Sequence, residues 1–96
     1  ADMKTEIEAA RLLTWKAAWM MDNEMRNTEF AAHAKRFAAD AAMRITTDAV
    51  QIFGGYGYSE EYPVARLMRA AKVMQIYEGS SQVQRMIIGR EIVRGL

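Results

Sequence analysis

An all-α fold, an antiparallel bundle of four helices, is predicted by three features of this 96-residue chain. Apolar residues recur at spacings of three and four over two long stretches, which marks a buried helical face. The breakers are few and clustered: one proline, Pro63, and six glycines, all of them at or beyond Gly54. No segment alternates polar and apolar residues as a half-buried strand does. Two long helices followed by two short ones, joined by short connections, make sequential neighbours antiparallel.

The first helix runs from about Met3 to Asp22. Its apolar residues, among them Ile7, Leu12, Leu13, Trp15, Trp19, Met20 and Met21, nearly encircle it. A helix that is apolar all round is covered on several sides, so its Trp and Met residues are core or interface material. The polar patch Asn23–Asn27 breaks it. A second helix follows over roughly Thr28 to Phe53, with Phe30, Ala34, Phe37, Ala38, Ala41, Ile45, Ala49 and Ile52 on one face. The opposite face carries Glu29, His33, Arg36, Asp40, Arg44, Thr47 and Gln51, and is either wet or set against a polar partner. Gly54-Gly55-Tyr56-Gly57 stops this helix, because glycine takes left-handed backbone angles without steric cost. Pro63 suits the first position of a third helix, where its missing N–H would have had no partner. Val64, Leu67, Met68, Ala71 and Met74 form its stripe, and Tyr77-Glu78-Gly79 ends it. Ser80-Ser81 opens a fourth helix, with Ser81 and Gln84 in capping-box spacing.

Composition narrows the chemistry. Thirteen Lys plus Arg against twelve Asp plus Glu give a net charge of +1, too balanced for a dedicated nucleic-acid binder. There is no run of about 18 apolar residues, so no membrane span is expected. Without cysteine there is no disulfide, zinc–thiolate site or thiol nucleophile, and the lone His33 makes no metal site by itself. The helical pattern begins directly behind Ala1-Asp2-Met3, which reads as a domain cut from a longer chain, residues 1–96 forming one helical unit.

Among candidate groups, Gly55-x-Gly57 has Glu60 where a dinucleotide fingerprint needs its last glycine and follows a helix instead of a strand, so it is not a Rossmann motif. A helix cap and a tight turn account for two of the three glycines. The third is surplus, as if backbone here passed close to something flat or bulky. Glu78 sits between two helices just before a helix start, where a carboxylate either stabilises the helix terminus or acts as a base. Arg66, Arg69 and Lys72 form a basic face that is either solvated or meets phosphate. Arg85 lies among Ile88, Ile92 and Leu96, and a guanidinium there needs a carboxylate, carbonyl or ligand partner.

The words Asp48-Ala-Val-Gln51-Ile-Phe-Gly-Gly-Tyr-Gly57, Glu61-Tyr-Pro63 and Gln75-Ile-Tyr-Glu78-Gly-Ser-Ser-Gln82-Val-Gln-Arg85 resemble, in order and spacing, the C-terminal signature of the acyl-CoA dehydrogenases. The resemblance extends upstream through Ala10-Arg11-Leu12-Leu13, Ala17-Ala18 and Arg26-Asn27, and so covers essentially the whole chain. It implies the last domain of a longer flavoenzyme, lacking the usual first helix of its bundle, which would precede Ala1. It implies an FAD-dependent enzyme that introduces a trans double bond between the α and β carbons of an acyl-CoA thioester and passes electrons to an electron-transferring flavoprotein. Glu78 matches the base that removes the α proton as hydride leaves the β carbon for flavin N5. The backbone N–H of Glu78, with a ribityl hydroxyl, would polarise the thioester carbonyl. Gln51, Ile52, Phe53, Gly54 and Gly55 match a segment that contacts the FAD of an adjacent subunit. Ser80, Ser81 and Gln82 match a second FAD-contacting segment, with Ser80 where relatives commonly carry threonine. Gly79 matches a position beside the acyl-CoA. Some long-chain and isovaleryl-type branches lack a glutamate here, so Glu78 points to a short- or medium-chain type branch.

The resemblance also implies a homotetramer, located in a prokaryotic cytoplasm or a mitochondrial matrix. The isolated 96 residues are expected to be catalytically silent. The competing readings are a non-enzymatic helical association module, favoured by the apolar first helix, and a helix-turn-helix DNA binder, disfavoured by the charge balance.

Overall fold

A computed structural model describes all 96 residues. The chain forms α1 (Asp2–Asp22), α2 (Thr28–Phe53), α3 (Gly55–Tyr58), α4 (Pro63–Met74) and α5 (Ser81–Arg94), with no strand. The all-α expectation holds. The glycine stretch adds a four-residue helix, α3, to the four that periodicity predicts.

α2 is the hub, about 39 Å long at 1.5 Å per residue for its 26 residues. α1 lies antiparallel to it, tied at one end by Arg44 to Glu6 (2.7 Å) and at the other by Asn27 donating to the Ala17 carbonyl (3.0 Å). The Lys16 ammonium sits 4.1 Å from the Phe30 ring centroid between these ties. α4 covers the C-terminal half of α2 and α5 the N-terminal half, both antiparallel to α2 and placed end to end. α1 packs on neither α4 nor α5. The array is therefore long and open, 50 × 22 × 20 Å with a radius of gyration of 15.5 Å. A compact domain of this length would have a radius of about 12–13 Å.

The core is built from small residues. Ala17, Ala32, Ala34, Ala39, Ala41 and Ala71 are buried with Met20 and Val64, and this lets the helix backbones approach closely. Most large apolar residues of α1 face outward instead: Leu12 and Trp15 are each 63% exposed and Trp19 56%. The near-complete apolar circumference of α1 thus meets only α2, and its other faces are uncovered. An open apolar groove of about 440 Å³ runs beside this seam, lined by Ala17, Ala31, Ala34, Ala38, Ala42 and Met74.

Local chemistry sets the ends of the helices. α1 closes with a Schellman arrangement in which Met25 N–H donates to the Met20 carbonyl and Glu24 N–H to that of Met21, with Glu24 at φ +56°. α2 stops at Gly54, at φ +65°. Gly57 is required for a different reason: a Cβ there would stand 2.5 Å from the Val50 carbonyl oxygen. Pro63 occupies the first turn of α4 as expected.

Two boundaries differ from expectation. The third predicted helix, α4, ends at Met74 and not at Tyr77-Glu78-Gly79. Its last turn tightens, with Gln75 N–H donating to Lys72 and Ile76 N–H to Val73, and the Met74 carbonyl is taken by Lys35 from α2. The capping register at α5 is one residue earlier than the Ser81–Gln84 spacing suggests. Ser80 is the N-cap, accepting from Val83 N–H at 3.3 Å, because the Ser81 hydroxyl is drawn inward to Asp40. Gln84 reaches back to the Gly79 carbonyl (3.1 Å).

Candidate active site on the loop between α4 and α5

The loop Gln75–Ser80 carries Glu78, and α2 holds it in shape from beneath. Asp40 Oδ1 accepts from Gln75 Nε2 and from Ser81 Oγ, each at 2.8 Å, so one carboxylate oxygen clamps both ends of the loop. The Gln75 carbonyl also accepts from Ser81 N–H at 3.0 Å, closing the loop through backbone. Asp40 Oδ2 takes Arg85 at 2.8 Å, with Arg36 at 3.8 Å. Burial alone would raise the pKa of the Asp40 carboxyl. The hydrogen bonds from Gln75 and Ser81 and the Arg85 charge outweigh that, and hold it below the usual carboxylate range.

Lys35, five residues earlier on α2, supports the middle of the loop. Its Nζ donates to the carbonyls of Met74, Tyr77 (3.3 Å) and Gly79 (3.3 Å). These three acceptors match the three donors of an ammonium. Above them Glu78 is exposed and adopts φ +54°, in the left-handed region, and Gly79 follows at φ +84°. For a non-glycine residue this conformation costs on the order of 1–3 kcal/mol and persists only where neighbours impose it. Glu24, the other such residue, is accounted for by its helix cap; Glu78 lies beyond the end of α4 and owes its angle to the loop. No group of the chain accepts the backbone N–H of Glu78, Gly79 or Ser80. The loop therefore offers an exposed carboxylate and N–H groups that no acceptor of the chain takes, the two features that removal of a proton beside a carbonyl requires.

The remaining predicted site residues divide in two. Gly79, Ser80, Ser81 and Gln82 all lie at this loop. Gly79 is glycine for local reasons as well, since its φ of +84° is one that L side chains rarely adopt. Gln82 is exposed, whereas Ser81 is buried with its hydroxyl on Asp40. Gln51, Ile52, Phe53, Gly54 and Gly55 are all exposed at the far end of α2. That end lies about 16 Å along the helix axis from Asp40, so the fold does not join the two segments into one site. Gly54 is explained by its positive φ and Gly57 by close backbone contact. Gly55 is the surplus glycine: nothing lies within 4 Å of the position its Cβ would take. Tyr56 packs on Tyr62 with ring centroids 5.5 Å apart, while Tyr58 projects outward.

Lys35 and Asp40 lie outside the residues that sequence motifs single out, and Gln75 stands in the signature without a role of its own. One signal pointed to Asp40: Arg85 required a partner, and the polar face of α2 had a carboxylate to offer. Lys35 gave no such signal. His33 pairs with Glu29 (3.2 Å) beside Phe30 and stands apart from the loop. Arg66, Arg69 and Lys72 are exposed, with Arg69 on Glu60 at 3.4 Å and Lys72 on Gln75 at 3.2 Å. Glu91 is a structural hub. Burial would raise its pKa, but the Arg26 hydrogen bonds and the charges of Arg26, Arg94 and Arg90 bring it down, and the pair ties the α1–α2 turn to α5.

Comparison with known proteins bears on this geometry. The family model "Acyl-CoA dehydrogenase, C-terminal domain" matches residues 1–93. A cyclohexane-1-carbonyl-CoA dehydrogenase of Geobacter metallireducens is 56% identical over 94 residues, spanning 98% of this chain and 25% of the relative. The butyryl-CoA dehydrogenase structure from Megasphaera elsdenii superimposes with a TM-score of 0.96 at 62% identity, over 98% of this chain and 24% of that one. A chain in a structure described for the electron transferring flavoprotein of Acidaminococcus fermentans gives a TM-score of 0.96 at 55% identity, again over 98% of this chain and 25% of that one. The sequence thus spans about a quarter of the length of these relatives. With the family signature, the helical array and the loop that carries Glu78 all in agreement, the chain belongs to the acyl-CoA dehydrogenase family, in the part that forms its C-terminal domain.

Proposed function

We propose that this chain is the C-terminal domain of an FAD-dependent dehydrogenase that introduces an α,β double bond into an acyl-CoA thioester, with Glu78 as the base that takes the α proton. The observation that carries the reading is the loop Gln75–Ser80, in which Glu78 is exposed, left-handed and has an N–H that no group of the chain accepts. The α proton of a thioester is weakly acidic. A base gains rate only if negative charge developing on the carbonyl oxygen is stabilised as the proton leaves. Glu78 supplies both functions, its N–H receiving the carbonyl oxygen and its carboxylate receiving the proton. Gly79, next in the chain, would border the acyl chain.

The residues present suit a flavin. Gly55 leaves its surroundings clear for a flat group, and Gln51, Ile52, Phe53 and Gly54 are exposed beside it. Ser80 and Gln82 would touch the cofactor at the other end, with Ser81 anchoring that segment to Asp40. The separation between the two segments supports contact with different FAD molecules, and hence an oligomer, in keeping with a tetramer. When bound, the flavin supplies the two-electron acceptor for the hydrogen that leaves the β carbon. The outward apolar face of α1 and the alanine-lined groove suit burial against further helices of the same chain and against neighbouring subunits. The named substrates of the relatives, butyryl-CoA and cyclohexane-1-carbonyl-CoA, favour a short or compact acyl group, and the electron acceptor we infer is an electron-transferring flavoprotein.

The test is Glu78→Gln in the complete enzyme. Loss of the base should lower turnover by at least 100-fold, in the range of about 100- to 10,000-fold typical of general-base removal. Flavin content should stay unchanged. Turnover within a few-fold of the unmodified enzyme would overturn the assignment.

A further inference from the structure

We propose that Lys35 is a positioning residue for the thioester carbonyl: its ammonium fixes and polarises the Tyr77–Glu78 peptide whose N–H receives the carbonyl oxygen. This rests on the reading of Glu78 given above. The peptide unit that ends in the Glu78 N–H begins with the Tyr77 carbonyl, and Lys35 Nζ lies 3.3 Å from that oxygen. Carbonyl and N–H of a trans peptide point in opposite directions. A cation holding the oxygen from the α2 side therefore turns the Glu78 N–H away from α2, toward the exposed side of the loop.

The same contact strengthens the donor. Hydrogen bonds in series polarise one another, and a charge on the carbonyl end of an amide makes its N–H more positive. Lys35 is half-buried, where water screens this effect less than at the surface. A lysine that served only to cap α4 would need the Met74 carbonyl alone. Its two further acceptors, Tyr77 and Gly79, lie beyond the helix and flank Glu78 on either side. Asp40 fixes the ends of the loop, and Lys35 sets the orientation of the peptide at its centre.

The experiment uses the complete flavin-loaded enzyme and crotonyl-CoA labelled with ¹³C at the thioester carbonyl. The carbonyl resonance of the bound ligand is compared with its value in free solution, alongside kcat, KM and flavin content. In the unmodified enzyme the resonance should be displaced on binding. In Lys35→Met the displacement should fall by half or more, with kcat down about 10- to 100-fold, less than the roughly 100- to 1000-fold cost of deleting an oxyanion donor outright. KM should change less than about threefold, because the effect grows with charge on the carbonyl oxygen. Lys35→Arg, which keeps a charged donor, should restore most of the displacement. If Lys35→Met fails to retain flavin, Lys35→Gln carries the same reading through its neutral amide. A full displacement in either uncharged variant would overturn the role of Lys35 while leaving Glu78 in place. An unmodified enzyme that turns over substrate yet shows no displacement would overturn the role of the Glu78 N–H, and this inference with it.

Discussion

Replacing Asp40 by alanine removes the one group that holds both ends of the Glu78 loop. Three hydrogen bonds at 2.8 Å are lost, from Gln75, Ser81 and Arg85. A hydrogen bond to a charged acceptor contributes about 1.5–3 kcal/mol, and the stranded partners then carry their own desolvation cost. These contributions differ in weight. Ser81 is 3% exposed and finds no water, so its bond counts in full. Gln75 is half-buried, and the Arg85 side chain, at 50% exposure, is resolvated once freed. Their shares are discounted accordingly. The loop should therefore open more easily by about 2–4 kcal/mol, below the sum of three independent bonds because the three share one carboxylate. Hydrogen exchange in the complete enzyme reads this directly at the amides of Ser81 and Gln84, which are bonded to Gln75 and Ser80. Their exchange should accelerate about 30- to 1000-fold, at roughly tenfold per 1.4 kcal/mol. Amides near Gly54 should be unaffected. Acceleration of less than about threefold at Ser81 would refute the clamp.

The carboxyl of Asp40 also sets a pH dependence. Its folded pKa lies below the unfolded value of about 3.9, so its contribution is complete above that pH and is lost as pH falls through the lowered folded value. Protection of the Ser81 amide should be flat from pH 5 to 8 and fall below about pH 4, and Asp40→Asn should remove that acid dependence. Among the glycines, Gly55→Ala should leave the melting temperature within a degree or two while lowering flavin content, since no protein atom meets the new Cβ. Gly57→Ala, driven against the Val50 carbonyl, should cost about 1–3 kcal/mol without any direct effect on flavin. The isolated 96 residues should self-associate at micromolar concentration through Leu12, Trp15 and Trp19, and sedimentation showing a stable monomer would contradict this.

The helices and the loop between them were legible in the chain because their causes are local. Three-and-four spacing, Gly54 at a positive φ and Pro63 at a helix start act over a few residues, and the four longer helices form where these signals put them, apart from the end of α4 and the cap of α5. The position of Glu78 between two helices was equally readable, as was the need of Arg85 for a partner. What the linear pattern could not contain is the meeting of Asp40 with Gln75, Ser81 and Arg85, and of Lys35 with three loop carbonyls, across separations of 35 to 45 residues. Those contacts moved the end of α4 back to Met74, took Ser81 out of the capping position and gave that position to Ser80. The sequence by itself determined the four longer helical segments and where the loop that carries Glu78 must lie, but not the short helix α3. Tertiary structure decided the conformation of that loop, because a left-handed Glu78 is unfavourable on its own and exists here only while α2 holds the backbone around it.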